Sequence, residues 1–224
     1  TVITLHDQIN IMPLREIIRV HRKSLKTIGL MSYLHFSSIA ALRSASILLT
    51  VSQYSKDRIL EHADFPADRV IPLFYGPSPK VRVIEDKALL ENVRARLGLH
   101  KPFVLADGVK NPATLTKAWQ MLPPALRDTH QMVFFSRRPD PPAEVLEAVE
   151  RGQAVLLVRP SDDDLVALFN SARAFVFPSW IEGFGIPLVD AMTCGTPIIA
   201  SDRGSIPEVV GDAALIADAE DAPA

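Results

Sequence analysis

The residues whose types and spacing could do chemistry are concentrated in Phe177-Pro178-Ser179-Trp180-Ile181-Glu182-Gly183-Phe184-Gly185-Ile186-Pro187-Leu188-Val189-Asp190. Gly183 and Gly185 keep the backbone open just ahead of an apolar helical run. The N–H groups at the start of that helix suit a phosphate or a sugar hydroxyl. Pro187 fits the first turn, where a missing N–H costs nothing. Glu182 precedes the helix and Asp190 lies eight residues on, close to a whole number of turns, so the spacing predicts two carboxylates reaching one crevice. In isolation, Glu182 with the two glycines also reads as a tight turn with an acid favouring the helix dipole. Lys110-Asn111 follows an apolar run and would offer a cation to an anionic ligand; a plain surface lysine is the alternative. His6-Asp7 ends another short apolar run, where His6 is either a ligand-facing imidazole or a half-buried histidine beside a turn.

These residues need a scaffold that gathers strand ends. Six apolar runs, at 103–106, 132–136, 154–158, 174–177, 197–200 and 214–217, alternate with helical segments at 113–122, 143–151, 162–172, 186–193 and 205–210. Strands separated by crossover helices predict a parallel sheet covered on both faces, a doubly wound Rossmann-type domain. Ligands in such sheets sit beyond the carboxyl ends of the strands, where the strand order reverses. Ahead of this domain, strands are expected at 2–5, 47–51 and 70–74, a helix over 14–46, and a short helix after Ser52. A charged helix is expected at 84–97. Gly76-Pro77-Ser78-Pro79 breaks regular structure, and the domain boundary is placed there.

Composition bounds the partners. The 224 residues carry a net charge of −2, which argues against a general nucleic-acid binder. The single cysteine, Cys194, excludes an intramolecular disulfide and fits a reducing cytosol. No run of about 18 apolar residues predicts a membrane span. Arg15, Arg19, Arg22, Lys23 and Lys26 form a basic stretch, either a solvated helix face or an attachment patch for an anionic membrane at its inner, cytoplasmic face. Asp162-Asp163-Asp164 follows Ser161 and reads as a capped helix start rather than a metal motif. No metal is assigned.

Glu182-Gly183-Phe184-Gly185, then Asp190-Ala191-Met192-Thr193-Cys194-Gly195-Thr196-Pro197, then Ala200-Ser201-Asp202-Arg203-Gly204-Ser205-Ile206-Pro207-Glu208-Val209-Val210-Gly211, resembles the signature of the family 4 glycosyltransferases (glycosyl transferases group 1). A weaker likeness extends to Thr4-Leu5-His6-Asp7, Thr50-Val51-Ser52 and Lys110-Asn111. The resemblance implies an α/β protein of the GT-B type with two Rossmann-like domains. Residues 1–76 would be an incomplete amino-terminal, acceptor-side domain, and residues 77–224 the nucleotide-sugar-binding domain, its final helix missing. It further implies transfer of a hexose from a nucleotide-diphosphate sugar to an acceptor with retention of configuration, without a cofactor.

By the same resemblance, Glu182, His6 and Lys110 are catalytic, while Gly183, Phe184, Gly185, Asp190 and Asn111 bind substrate. Two departures are visible. Asp190 stands where the family carries a second Glu, contacting the ribose. The family's usual Arg before the phosphate-clamping Lys is absent from 103–109, with Arg137 and Arg138 as alternatives. Two rival readings stay open: a catalytically impaired nucleotide-sugar-binding subunit, and a GT-B-fold epimerase or phosphorylase.

Overall fold

A computed structural model describes residues 1–15 and 25–222. By its internal contacts the chain divides into two units. The first comprises Thr1–Tyr75 with Glu182–Phe184; the second comprises Gly76–Ile181 and Gly185–Ala224.

The first unit is built on β1 (Val2–Thr4), β2 (Ile47–Thr50) and β3 (Val70–Pro72), parallel and in the order β1-β2-β3. Helix α1 (Leu25–Ser44) runs between β1 and β2, and α2 (Gln53–His62) between β2 and β3. Ile11, Leu42, Leu48, Ile59 and Val70 form the core. Serine sets the start of α2: Ser52 is extended (φ −156°) and its hydroxyl accepts the Ser55 N–H at 2.9 Å. That bond satisfies one of the donors a helix start leaves orphaned. Two single turns of 3-10 helix, Ile9–Ile11 and Ala67–Arg69, were not expected from the sequence. Of the basic stretch, Arg15 and Lys26 are described; Arg19, Arg22 and Lys23 lie outside the described residues.

The second unit opens with α3 (Lys87–Arg96), capped by Asp86. There follow β4 (Phe103–Asp107), α4 (Pro112–Met121), α5 (Pro124–Thr129), β5 (Gln131–Ser136), α6 (Ala143–Glu150), β6 (Ala154–Val158), α7 (Asp162–Ser171), β7 (Ala174–Phe177), α8 (Ile186–Thr193), β8 (Ile198–Ser201), α9 (Ile206–Val210) and β9 (Ala214–Ala217). All six strands pair in parallel in the order β6-β5-β4-β7-β8-β9. Numbered within the unit, that is 3-2-1-4-5-6, the doubly wound order, and it reverses between β4 and β7.

Successive side chains of a strand point to opposite faces, and because helices cover both, β5 is buried almost throughout. On one face, Phe135, Phe169, Phe175 and Phe177 are buried beside Leu188, Ala191 and Ile206, under α7, α8 and α9. Phe169 meets Phe175 edge-on at 5.1 Å. On the other, Phe134, Trp119 and Val145 pack under α4 and α6. Helix α5 was not foreseen: its six residues begin at Pro124, after Pro123, and Pro-Pro signals a turn as readily as a helix start.

Candidate active site

The sheet's reversal point is occupied by the turn after β4. Gly108 N–H donates to the Phe135 carbonyl (2.8 Å), Val109 N–H to Asp107 Oδ1 (3.0 Å) and Lys110 N–H to the Asp107 carbonyl (3.1 Å). A side chain at Gly108 would put its Cβ 3.3 Å from that Phe135 carbonyl. The turn is therefore pinned close to β5, and it delivers Lys110 over the ring of Phe177, with Nζ 6.0 Å from the centroid. Phe177 ends β7 and Lys110 follows β4, so the lysine stands at the switch point that doubly wound sheets use for ligands. Asn111, next in sequence, adopts a left-handed conformation (φ 49°) before Pro112 starts α4. Its amide donates to the Ala219 carbonyl at 2.9 Å and the residue is buried, so this side chain holds two loops together.

Beyond the ends of β5, β6 and β7 lies a cavity of about 240 Å³ lined by Ser78, Lys80, Arg137, Asp162, Ile186 and Asp190, among others. Asp190 projects from α8 and is 6% exposed; among the described residues its Oδ1 has no hydrogen-bond partner. Burial raises its pKa above the ordinary carboxylate value; the Arg137 charge opposes that shift and the Asp162 charge adds to it. A buried acceptor without a donor is costly, and a ligand hydroxyl or N–H would relieve it. Arg137, one of two alternatives for the missing clamp arginine, is the one brought to Asp190. Arg138 instead pairs with Asp140 at 3.0 Å.

The turn before α8 is shaped by glycine. Gly185 has φ 94°, a region that side chains rarely adopt, and a Cβ there would sit 2.9 Å from Leu188 Cδ1. Helix α8 begins only at Ile186, so the first half of the Glu182-to-Asp190 interval is loop and turn. The eight-residue spacing is therefore not two helical turns, which corrects the periodicity argument.

Glu182, Gly183 and Phe184 belong by contacts to the first unit. The Ser52 hydroxyl donates to the Gly183 carbonyl at 2.7 Å, and the Ser55 hydroxyl donates to the same oxygen at 3.1 Å. A Cβ on Gly183 would lie 2.7 Å from the His6 carbonyl, closer than a side chain tolerates. His6 itself is exposed just past β1, with Nδ1 2.7 Å from the Tyr75 hydroxyl. Phe184 is buried against Tyr75, edge to face at 5.5 Å, and against Phe74 at 6.2 Å. The structure thus brings His6, Gly183 and Phe184 together in one unit, and Lys110, Gly185 and Asp190 to the strand ends of the other.

Sequence reasoning missed Ser55 and Tyr75. Ser55 had a signal, since it lies one helical turn past the Ser52 cap; Tyr75 had none beyond its place before Gly76. The acidic run behaves as read: the Ser161 hydroxyl accepts the Asp164 N–H at 3.1 Å, and Asp164 pairs with Arg96. Among the described residues no group of three or more His, Cys, Asp or Glu side chains is placed to hold a metal ion. No described helix is long and apolar enough to cross a membrane.

The model of the Glycosyl transferases group 1 family matches residues 103–224. O-antigen chain mannosyltransferase B of Escherichia coli is 33% identical over 206 residues, which are 86% of this chain and 52% of that protein. The serotype-specific mannosyltransferase WbdA of the same organism is 30% identical over 188 residues, 79% of this chain and 23% of that protein. The chain therefore spans about half the length of the first relative and about a quarter of the second. Among solved structures, Anabaena Alr3699/HepE in complex with UDP-glucose superposes with a TM-score of 0.74 over 99% of this chain and 59% of that one, at 19% identity, a likeness of fold. With the doubly wound order, the pinned turn under Lys110 and the glycine turn before α8 already in place, these matches establish that the chain belongs to the Glycosyl transferases group 1 family.

Proposed function

We propose that the protein transfers a hexose from a nucleoside-diphosphate sugar to an acceptor with retention of anomeric configuration, and that the second unit binds the donor. The observation that carries this reading is Asp190: a buried carboxylate whose oxygen lacks a donor, in a cavity at the strand ends that Arg137 and Lys80 also line. Such a site asks for a ligand rich in hydroxyls and bearing negative charge. A nucleoside diphosphate has both: ribose hydroxyls to donate to Asp190 and phosphates to meet Arg137 and Lys110. Aspartate is one methylene shorter than the glutamate of the family pattern, so the ribose contact is direct only if the nucleoside sits closer to α8, and water-bridged otherwise.

In this reading Lys110, at the switch point, neutralises the leaving diphosphate, a charge that grows as the sugar departs. Gly183 and Gly185 let backbone N–H groups approach the sugar and phosphate. Glu182 and His6 hydrogen-bond hydroxyls of the transferred sugar, and Phe184 shapes the loop that presents them. Asn111 acts by holding the turn. The two Escherichia coli relatives named above are mannosyltransferases, which makes a nucleotide-linked mannose the first donor to try. Contact with an anionic membrane would use α1, where Lys26, Leu30, Tyr33 and Phe36 are exposed at spacings of four, three and three residues.

The test is transfer itself. The full protein is incubated with GDP- and UDP-linked sugars and candidate glycan or lipid acceptors, and the product linkage is read by NMR. An α-linked product from an α-linked donor, lost in Glu182→Ala, is the expected result. Donor binding without any transfer, in a folded protein offered a broad acceptor panel, would favour the nucleotide-sugar-binding subunit instead. That rival draws support from the absent clamp arginine and from Asp190.

A further inference from the structure

A histidine that meets a ligand must present one particular ring nitrogen in one protonation state, and its other nitrogen decides which. At His6 that other nitrogen is Nδ1, and the Tyr75 hydroxyl lies 2.7 Å from it. The two rings are also near-parallel, 18° apart with centroids at 6.1 Å. Tyr75 does not reach His6 from a free loop. Its ring is braced edge-on by Phe184, which is 7% exposed, and the Gly183 carbonyl next to Phe184 is held by the hydroxyls of Ser52 and Ser55.

We infer that Tyr75 is a positioning residue for His6: its hydroxyl donates to Nδ1, so the imidazole proton rests on Nε2 and an N–H donor is presented to a sugar oxygen. The direction of the bond follows from the groups. An imidazole nitrogen is the stronger base and a phenol the stronger proton donor, so O–H···N is favoured over N–H···O. A ring hydrogen-bonded at Nδ1 is held against the flip that would otherwise exchange the two nitrogens. The role assigned to Nε2 rests on the sugar-transfer reading; the bond from Tyr75 to Nδ1 does not.

The test uses the full protein labelled with ¹⁵N-histidine, with His6→Gln to assign the His6 signals among the six histidines. Ring-nitrogen spectra are recorded at about pH 8, where imidazoles are ordinarily neutral. The inference expects His6 to carry its proton on Nε2, with Nδ1 unprotonated. Tyr75→Phe keeps the ring that packs on Phe184 and removes only the hydroxyl. In that variant the two tautomers should mix, and kcat for transfer should fall about 2- to 12-fold, the worth of one ordinary hydrogen bond, with the donor KM little changed.

A wild-type His6 protonated on Nδ1 overturns the inference. So does a Tyr75→Phe variant whose tautomer is unchanged, whatever its kcat, because any loss would then have come through packing. A tautomer shift with full kcat in an active protein overturns the positioning role as well. If no donor supports transfer but the tautomer shift is seen, the sugar-transfer reading fails while the Tyr75–His6 lock stands.

Discussion

Replacing Asp190 by Asn should stabilise the protein and weaken its ligand at the same time. Asp190 is 6% exposed, one of its oxygens has no partner among the described residues, and burial has raised its pKa. A group whose pKa is higher in the folded state than in the unfolded chain binds more protons when folded. Stability therefore falls as pH rises from the ordinary carboxylate value near 3.8 through the raised folded value. At neutral pH the charged carboxylate is a net cost, only partly offset by Arg137. The neutral amide removes the charge at constant shape. A gain of about 1 kcal/mol at pH 7 is the scale expected for removing a charge that burial disfavours, or roughly 2–4 °C in Tm for a chain of this size. The gain should shrink as pH falls through the raised folded pKa and vanish below the ordinary carboxylate value near 3.8.

Nucleotide affinity should move the other way. Losing a hydrogen bond to a charged acceptor costs about 1.5–3 kcal/mol, a Kd about 10- to 150-fold weaker. Differential scanning fluorimetry from about pH 4 to 8, with calorimetric titration of nucleoside diphosphates, reads both effects. A variant that is less stable at pH 7 and binds nucleotide as tightly as the wild type would refute the reasoning: Asp190 would then be a structural group whose partner is protein.

Gly183→Ala should displace the loop, because its Cβ would meet the His6 carbonyl at 2.7 Å; a loss of about 1–3 kcal/mol by urea unfolding is expected. Arg137→Met should push the Asp190 pKa higher still and weaken nucleotide binding, with a smaller salt dependence of Kd than the wild type, measured by titration at low and high ionic strength. Cys194 is buried, and burial pushes its thiol up to about 11, so iodoacetamide at about pH 8 should leave it unmodified in the folded protein and alkylate it in urea, as read by mass spectrometry.

Much of the second unit was legible because its signals are local. The apolar runs at 154–158, 174–177 and 214–217 match β6, β7 and β9 residue for residue, and Ser161 caps the helix it precedes, as Ser52 does in the first unit. Strand order was not readable from any single segment; it emerges from right-handed crossovers acting on all six strands. Helix α5 was hidden by Pro123-Pro124, whose fixed φ suits a turn and a first helical turn equally. At the site, Lys110 could be placed from its position after a strand, whereas Arg137 could be chosen over Arg138 only once Asp140 was seen to take the latter. The helix at 186–193 was read with its observed bounds, but the whole-turn spacing from Glu182 to Asp190 failed because Gly185, at φ 94°, ends a loop in the middle of the interval. Tyr75 was invisible because its partner, His6, lies 69 residues away in sequence.

The central claim, a nucleoside-diphosphate site at the strand ends around Lys110 and Asp190, is tested most directly by a thermal-shift panel. UDP, GDP, ADP and dTDP are compared with sugar-only controls on the full protein, with Lys110→Ala alongside. The account predicts stabilisation by one diphosphate, nothing from free sugar, and a clearly smaller shift in Lys110→Ala. A folded protein that none of the four nucleotides stabilises, or one that Lys110→Ala leaves equally stabilised, would contradict it.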